Sequence, residues 1–158
     1  MKTIYLAGGC FWGMQRFVDS AKGVVATEVG YANGRIDNPT YKQVKTGETG
    51  YAETVKIEFD ESVLTTKALI SRFLQVIDPF SVNKQGEDEG EQYRTGVYFV
   101  DAEDGEIAKE LIATLEKESG KKSAVEVRPL VNFWRAEEYH QKYLVKNPTG
   151  YCHIFTNF

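Results

Sequence analysis

The sequence has few of the residues that would point to a metal centre or to a disulfide scaffold. Only two cysteines and two histidines occur among its 158 residues. Cys152 and His153 are adjacent, which leaves no ligand pair with usable zinc spacing. A chain of this length can bury a real hydrophobic core without disulfides. We therefore expect no metal site, and a chemical role for the cysteines becomes the leading hypothesis.

Basic runs and long apolar runs are also missing. The formal net charge is -4 and no basic run exceeds Lys121-Lys122, which argues against nucleic acid and anionic membranes as main partners. No apolar stretch approaches the length of a membrane span. Met1-Lys2 leads straight into an apolar run, without a signal or transit pattern. These absences predict a cytoplasmic protein whose cysteines stay reduced, and we expect a monomer.

Hydrophobic periodicity predicts a single domain over residues 1–158, with a mobile C-terminal tail at about 146–158. The predicted strands are Lys2–Ala7, Val24–Tyr31, Tyr51–Phe59, Thr95–Val100 and Val125–Val131, the last an edge strand because it contains Pro129. The predicted helices are Phe11–Ala21, a short one ending at Val44, Thr65–Ile77, Ala102–Ser119 and Ala136–Leu144, and Phe80–Arg94 is predicted as a polar loop. This order favours an α+β two-layer sandwich, in which helices pack on a mostly antiparallel mixed sheet with a ferredoxin-like core.

Cys10 is the most informative residue. It lies in Gly8-Gly9-Cys10-Phe11-Trp12-Gly13, between a predicted strand and a predicted helix. The positive end of a helix dipole favours thiolate, which is the reactive form of cysteine. Phe11 and Trp12 would supply an apolar wall beside the sulfur. The alternative is that Cys10 serves as a small hydrophobic core residue.

Three polar residues could act with this thiol. Glu53 shares a face of its predicted strand with apolar residues, so it is either a buried acid with a raised pKa or an edge residue that reaches solvent. Tyr41 and Tyr93 lie in loops or at element edges, where a hydroxyl can donate to an oxygen or the ring can cap the core.

Cys152 follows a segment rich in proline and glycine near the C-terminus. A nucleophile in a pocket and a second thiol on a flexible arm fit a nucleophile and a resolving cysteine. The alternative, a structural disulfide between them, is disfavoured in a reducing compartment.

A second enzyme class also matches the first motif. Cys10 is followed by Arg16 six positions later, as in cysteine-dependent phosphatases, where backbone N–H groups and an arginine hold a phosphate. Phe11 and Trp12 make the loop apolar and poorly suited to a dianion, and Phe17 follows the arginine where such loops usually carry Ser or Thr.

Five blocks along nearly the whole chain carry a family resemblance. They are Gly9–Gly13; Pro39-Thr40-Tyr41 with Thr49–Glu53; Asp78-Pro79 with Gln85-Gly86, Asp88 and Gln92-Tyr93-Arg94; Glu138–Leu144; and Asn147-Pro148 with Gly150-Tyr151-Cys152. With these blocks the chain closely resembles the peptide methionine sulfoxide reductase A family.

The resemblance implies roles for the candidate residues. Cys10 would attack the sulfur of methionine-S-sulfoxide, Glu53 would protonate its oxygen, and Tyr41 and Tyr93 would hydrogen-bond that oxygen. Phe11 and Trp12 would hold the substrate methyl group, and Asp88 would support the polar side of the pocket.

The resemblance also implies how the enzyme is regenerated. Cys152 would form a disulfide with the oxidised Cys10, and a thioredoxin would reduce it. No metal or cofactor would be required.

The sequence departs from the family pattern at Tyr51, Ile77 and Asn33, which could alter the pocket rim. A hypothesis from a different class is a module that binds methionine-like side chains at Phe11 and Trp12 without turnover. An inferred acid and a tail cysteine argue against it, because binding alone needs neither.

Overall fold

The computed structural model describes residues 1–158. Eight strands are formed: β1 Lys2–Gly8, β2 Val24–Ala32, β3 Ala52–Phe59, β4 Lys84–Gln85, β5 Asp88–Glu89, β6 Thr95–Phe99, β7 Glu126–Pro129 and β8 Phe133–Arg135. The five α-helices are α1 Phe11–Asp19, α2 Tyr41–Val44, α3 Thr66–Val76, α4 Ala102–Ser119 and α5 Tyr143–Lys146. Two 3₁₀ turns cover Glu91–Tyr93 and Glu138–His140.

Six of the strands form one sheet, in the order β7-β6-β1-β3-β2-β8. Its central part, β6-β1-β3-β2, is antiparallel throughout, and β7 adds to it in parallel. Two βαβ connections with this strand order make a ferredoxin-like core, which confirms the predicted architecture. β7 lies at the edge of the sheet, as Pro129 predicts.

The main core lies between one face of this sheet and three helices. Alternation along β1 sends Ile4 and Leu6 to that face and Tyr5 and Ala7 to the other. Apolar residues of α1, α3 and α4 join Ile4 and Leu6 in a single cluster of 26 buried residues. The two-layer sandwich is therefore confirmed. None of its helices has the length and apolar character needed to cross a membrane.

The predicted helix Ala136–Leu144 is wrong. The segment instead leaves β8, makes a 3₁₀ turn at Glu138–His140 and enters α5 only at Tyr143. The amide of Gln141 bonds to both backbone groups of Val29 at 2.9 Å, and Lys142 has a φ of 55°. A left-handed residue ends helical geometry, so this contact with β2 overrides the local helical pattern.

The predicted polar loop Phe80–Arg94 contains structure of its own. β4 and β5 pair as a small hairpin, in which Gln85 lies opposite Asp88. The side chain of Gln85 bonds to both backbone groups of Asp78, at 2.9 and 2.7 Å. This hairpin fixes Asp88 beside the first turn of α1.

The three departures from the family pattern have structural roles in this fold. Tyr51 is 1% exposed and its hydroxyl donates to the carbonyl of Ile36. Ile77 is buried at the end of α3. Asn33, at a φ of 56°, accepts from the backbone N–H of Val131 at 2.7 Å. None contacts Cys10 through these bonds, so their effect on the pocket rim stays untested.

Candidate active site

The turn between β1 and α1 places Cys10. Gly9 has a φ of 87°, and a Cβ on it would lie 2.6 Å from Cβ of Gln85, so both backbone and space require glycine. Cys10 is the N-cap of α1 and is 7% exposed. The predicted strand, turn and helix are therefore confirmed, and they bury the thiol at the base of the helix.

The prediction that this position makes Cys10 a ready thiolate is wrong for the protein without substrate. Burial raises the pKa of the Cys10 thiol, and the negative charge of Glu53 raises it further. The backbone N–H groups of Trp12 and Gly13 act in the opposite direction, as the helix dipole predicts, but they are outweighed. When Glu53 is neutral its contribution disappears, but burial still raises the pKa, so the resting form of Cys10 is the thiol.

Glu53 is a buried acid and not an edge residue that reaches solvent. It lies on the same face of β3 as Val55 and Ile57, is 2% exposed, and accepts a hydrogen bond from the backbone N–H of Phe11 at 3.2 Å. Burial raises its pKa from the ordinary 4.5 to about 8, although the bond from Phe11 opposes this. At neutral pH the carboxyl group is mostly protonated and can donate a proton.

Tyr41 and Tyr93 bring two neutral hydroxyls to the same place. Tyr41 is the first residue of α2, whose N-cap Thr40 forms a capping box with Gln43. Burial, followed by the charge of Glu53, raises the pKa of both hydroxyls, and the charge of Cys10 adds to this. Both tyrosines therefore remain protonated donors close to the thiol and the acid.

Phe11 and Trp12 form an aromatic wall with different exposures. Phe11 is 1% exposed and packs on Tyr31, with ring centroids 5.8 Å apart. Trp12 is only partly buried, and its ring stacks on Tyr143 at 3.7 Å and 11°. The structure thus presents the indole as the accessible apolar surface beside Cys10, with Phe11 beneath it.

His140 and Glu137 position this wall, and sequence reasoning did not assign either to the site. Nδ1 of His140 accepts from Nε1–H of Trp12 at 3.0 Å, and the ring is 1% exposed. Glu137 accepts from the backbone N–H of Tyr41 at 2.9 Å and from the hydroxyl of Tyr31 at 2.8 Å. The family resemblance at Glu138–Leu144 could have indicated a role for His140, whereas no feature of the sequence indicated one for Glu137.

Asp88 lies at the polar side of the site. Burial raises the pKa of its carboxyl, while the charge of His153 and a bond from Tyr151 oppose the shift. Its Oδ2 is buried and has no hydrogen-bond partner. The charge of Asp88 acts on both Cys10 and Glu53, so the structure brings this predicted residue to the same pocket.

Cys152 lies over the first turn of α1. A Cβ added to Gly13 would lie 3.0 Å from its sulfur, so the missing side chain of Gly13 makes room for it. Both cysteines are free thiols. The tail is held there by Ile154, which is 3% exposed, and by a 2.7 Å bond between Nε2 of His153 and the carbonyl of Gly8.

The tail also bounds a cleft of about 470 Å³ beside Cys152, lined by Gly86, Glu87, Tyr151, Cys152, His153 and Phe155. Phe155 is 93% exposed at its rim. The mobility predicted for the tail stays a prediction.

The phosphatase hypothesis requires Arg16 to face the Cys10 loop. The structure instead places its guanidinium on the sulfur of Cys152, at 3.0 Å, and on the carbonyl of Ile154 at 3.4 Å. No group of three or more His, Cys, Asp or Glu side chains is placed to hold a metal ion.

A buried cysteine beside a neutral carboxylic acid and two hydroxyls, with a second free thiol next to the same turn, defines a thiol-based oxidoreductase site. Residues 2–158 match the family model described as peptide methionine sulfoxide reductase. The chain belongs to the peptide methionine sulfoxide reductase family.

Several known proteins support this assignment. The chain is 54% identical over 154 residues to the peptide methionine sulfoxide reductase MsrA of Clostridium perfringens, covering 98% of each chain. It is similar to the reduced form of Mxr1 from Saccharomyces cerevisiae, with a TM-score of 0.93 and 35% identity over 99% of this chain and 92% of that one. A second structure is described as Mxr1 from Saccharomyces cerevisiae in complex with Trx2. The chain matched in that structure is 23% identical to this one, with a TM-score of 0.67 over 99% of this chain and 90% of the matched chain.

Proposed function

We propose that this protein reduces methionine-S-sulfoxide, free or within proteins, to methionine and thereby repairs oxidised proteins. The observation that carries the proposal is the pairing of Cys10 with Glu53, an acid whose pKa of about 8 keeps it mostly neutral at physiological pH. A sulfoxide needs a proton on its oxygen and a nucleophile at its sulfur, and these two residues supply both.

In the first step the sulfoxide oxygen lies between Glu53, Tyr41 and Tyr93. Their O–H groups donate to it, which makes the sulfur more electrophilic and stabilises the charge that develops on the oxygen. Cys10 attacks the sulfur, the sulfur–oxygen bond of the substrate breaks, and the oxygen ends on Cys10. The products are methionine and a Cys10 sulfenic acid. The proton given by Glu53 is balanced by the one that the thiol loses.

The aromatic wall selects the substrate. The partly exposed indole of Trp12, held by its stack on Tyr143 and its bond to His140, offers a fixed apolar face to the methyl group on sulfur. Phe11 closes the pocket from below, and Asp88 faces the polar part of the substrate. This arrangement orients the sulfur toward Cys10 with its oxygen toward the acid, as required to distinguish epimers.

In the second step Cys152 attacks the sulfenic acid of Cys10. A disulfide forms, the sulfur–oxygen bond of the sulfenic acid breaks, and the oxygen leaves as water. The single domain stays in place while the tail at about 146–158 moves to bring the two sulfurs together. A dithiol of the thioredoxin type then reduces the disulfide by exchange. The complex of Mxr1 with Trx2 supports this class of partner.

Two free thiols that cycle with a thioredoxin require a reducing compartment, so we place the protein in the cytoplasm. The module that binds without turnover has no use for a neutral buried acid, and no contact in the structure favours it.

The proposed function is tested by reacting the protein with methionine-S-sulfoxide in the absence of a reductant. Wild-type protein mixed with excess methionine-S-sulfoxide should form one methionine per molecule and lose both thiols, with a Cys10–Cys152 disulfide found by peptide mass spectrometry. Cys152→Ser should also form one methionine, but leave a Cys10 sulfenic acid that dimedone traps. Methionine formed without loss of thiols would contradict the mechanism.

A further inference from the structure

The sulfur of Cys152 is held between a cation and a carbonyl group. Nη2 of Arg16, on α1, donates to Sγ of Cys152 at 3.0 Å. The same nitrogen lies 3.4 Å from the carbonyl oxygen of Ile154, which accepts the thiol hydrogen of Cys152 at 2.9 Å. The guanidinium thus contacts the atom that must attack the oxidised Cys10.

The charge of Arg16 is not neutralised by an acid. Arg94 and Arg128 pair with Glu126, and Arg135 pairs with Glu28 and Glu138, whereas Arg16 takes part in none of the ion pairs. Its polar contacts are the sulfur and the tail carbonyl. No acidic side chain therefore competes with Cys152 for this guanidinium.

The contact between Arg16 and Cys152 lies close to the proposed nucleophile Cys10. Cys152 sits against Gly13, three positions after Cys10, and Ile154 anchors the tail in the main core. Arg16 lies one further turn along the same helix. The helix that carries the nucleophile at its N-cap thus also carries the cation at the second sulfur.

We propose that Arg16 is a catalytic residue for the formation of the Cys10–Cys152 disulfide. The guanidinium lies in contact with the sulfur that attacks, so it stabilises the negative charge on that sulfur during the attack. The sulfur of Cys152 bonds to the sulfur of Cys10 as the sulfur–oxygen bond of the sulfenic acid breaks. The hydroxide takes up the proton that Cys152 gave up and leaves as water. This role rests on the proposed function. Because the guanidinium is partly solvated, a rate effect of about five- to tenfold is expected.

The first test compares Arg16→Gln with Arg72→Gln as a matched control. Arg72 also holds the tail, donating to the carbonyl of Asn157 at 2.8 Å, but does not contact a cysteine. In single-turnover experiments with methionine-S-sulfoxide, Arg16→Gln should form the disulfide about five- to tenfold more slowly and accumulate a dimedone-trapped sulfenic acid. Arg72→Gln should match wild type, and Arg16→Lys should recover most of the rate.

Equal slowing in Arg16→Gln and Arg72→Gln would overturn the proposal, because it would mean that tail anchoring alone sets the rate. A second measurement does not depend on sulfoxide reduction. In a Cys10→Ser background, iodoacetamide should alkylate Cys152 about fivefold more slowly when Arg16 is Gln. Unchanged alkylation would overturn the role of Arg16, whereas wild-type protein that forms no methionine would overturn only the proposed function.

Discussion

Replacing Glu53 with glutamine should remove the destabilisation that ionisation of this buried residue is expected to cause between pH 5 and pH 8. Glutamine keeps the shape of the neutral acid and an oxygen that can accept from the backbone N–H of Phe11. It cannot ionise. The variant therefore separates the cost of a buried negative charge from the packing of the side chain.

The magnitude follows from the pKa of Glu53. It is about 8 in the folded protein against an ordinary 4.5. The folded state therefore binds more protons than the unfolded state across this range, and the free energy of unfolding falls as pH rises. The contribution is fully present below pH 4.5, declines toward pH 8 and is then constant. At about 1.4 kcal/mol per pKa unit, about 3 kcal/mol should be lost between pH 5 and pH 8.

The assay is urea unfolding of both proteins at pH 5, 6, 7 and 8 under reducing conditions. The other titrating groups, including His140 and His153, are present in both, so the difference between the two proteins isolates Glu53. The stability of Glu53→Gln relative to wild type should rise by about 3 kcal/mol from pH 5 to pH 8. Parallel curves, with a difference that changes by less than about 0.5 kcal/mol, would refute a raised pKa at this residue.

Three other predictions concern the reaction and the turn that carries it. Glu53→Gln should lower the rate of sulfoxide reduction by about 100-fold or more, because it cannot deliver a proton; an unchanged rate would remove Glu53 from the mechanism. Cys152→Ser should complete about one turnover with thioredoxin and then stall, and sustained turnover would end the resolving role. Gly9→Ala places a methyl group 2.6 Å from Gln85 at a φ of 87°, so thermal unfolding should show a loss of roughly 1–3 kcal/mol.

Much of the fold could be predicted because its signals are local. Alternation in β1 and β3 and the helical spacing in α1 fix which side chains face the core, and Gly120 ends α4 in the left-handed conformation at a φ of 70°. The same alternation placed Glu53 among apolar residues. Strand order could be inferred because few topologies suit this sequence of elements.

What could not be predicted depends on contacts between distant segments. The bonds from Gln141 to Val29 span 112 positions and replace the helix that local periodicity favours. The raised pKa of Cys10 depends on burial and on Glu53, which no property of the helix terminus reveals. The spacing of Cys10 and Arg16 suggested a phosphate loop, yet the arginine contacts Cys152 from 136 positions away.

The most direct test of the central claim is the reduction of each methionine sulfoxide epimer separately, with dithiothreitol as the donor, by wild type and Cys10→Ser. The account predicts turnover of the S epimer only, and its complete loss in the variant. Turnover of the R epimer, or S-epimer activity that survives the loss of the Cys10 thiol, would contradict it.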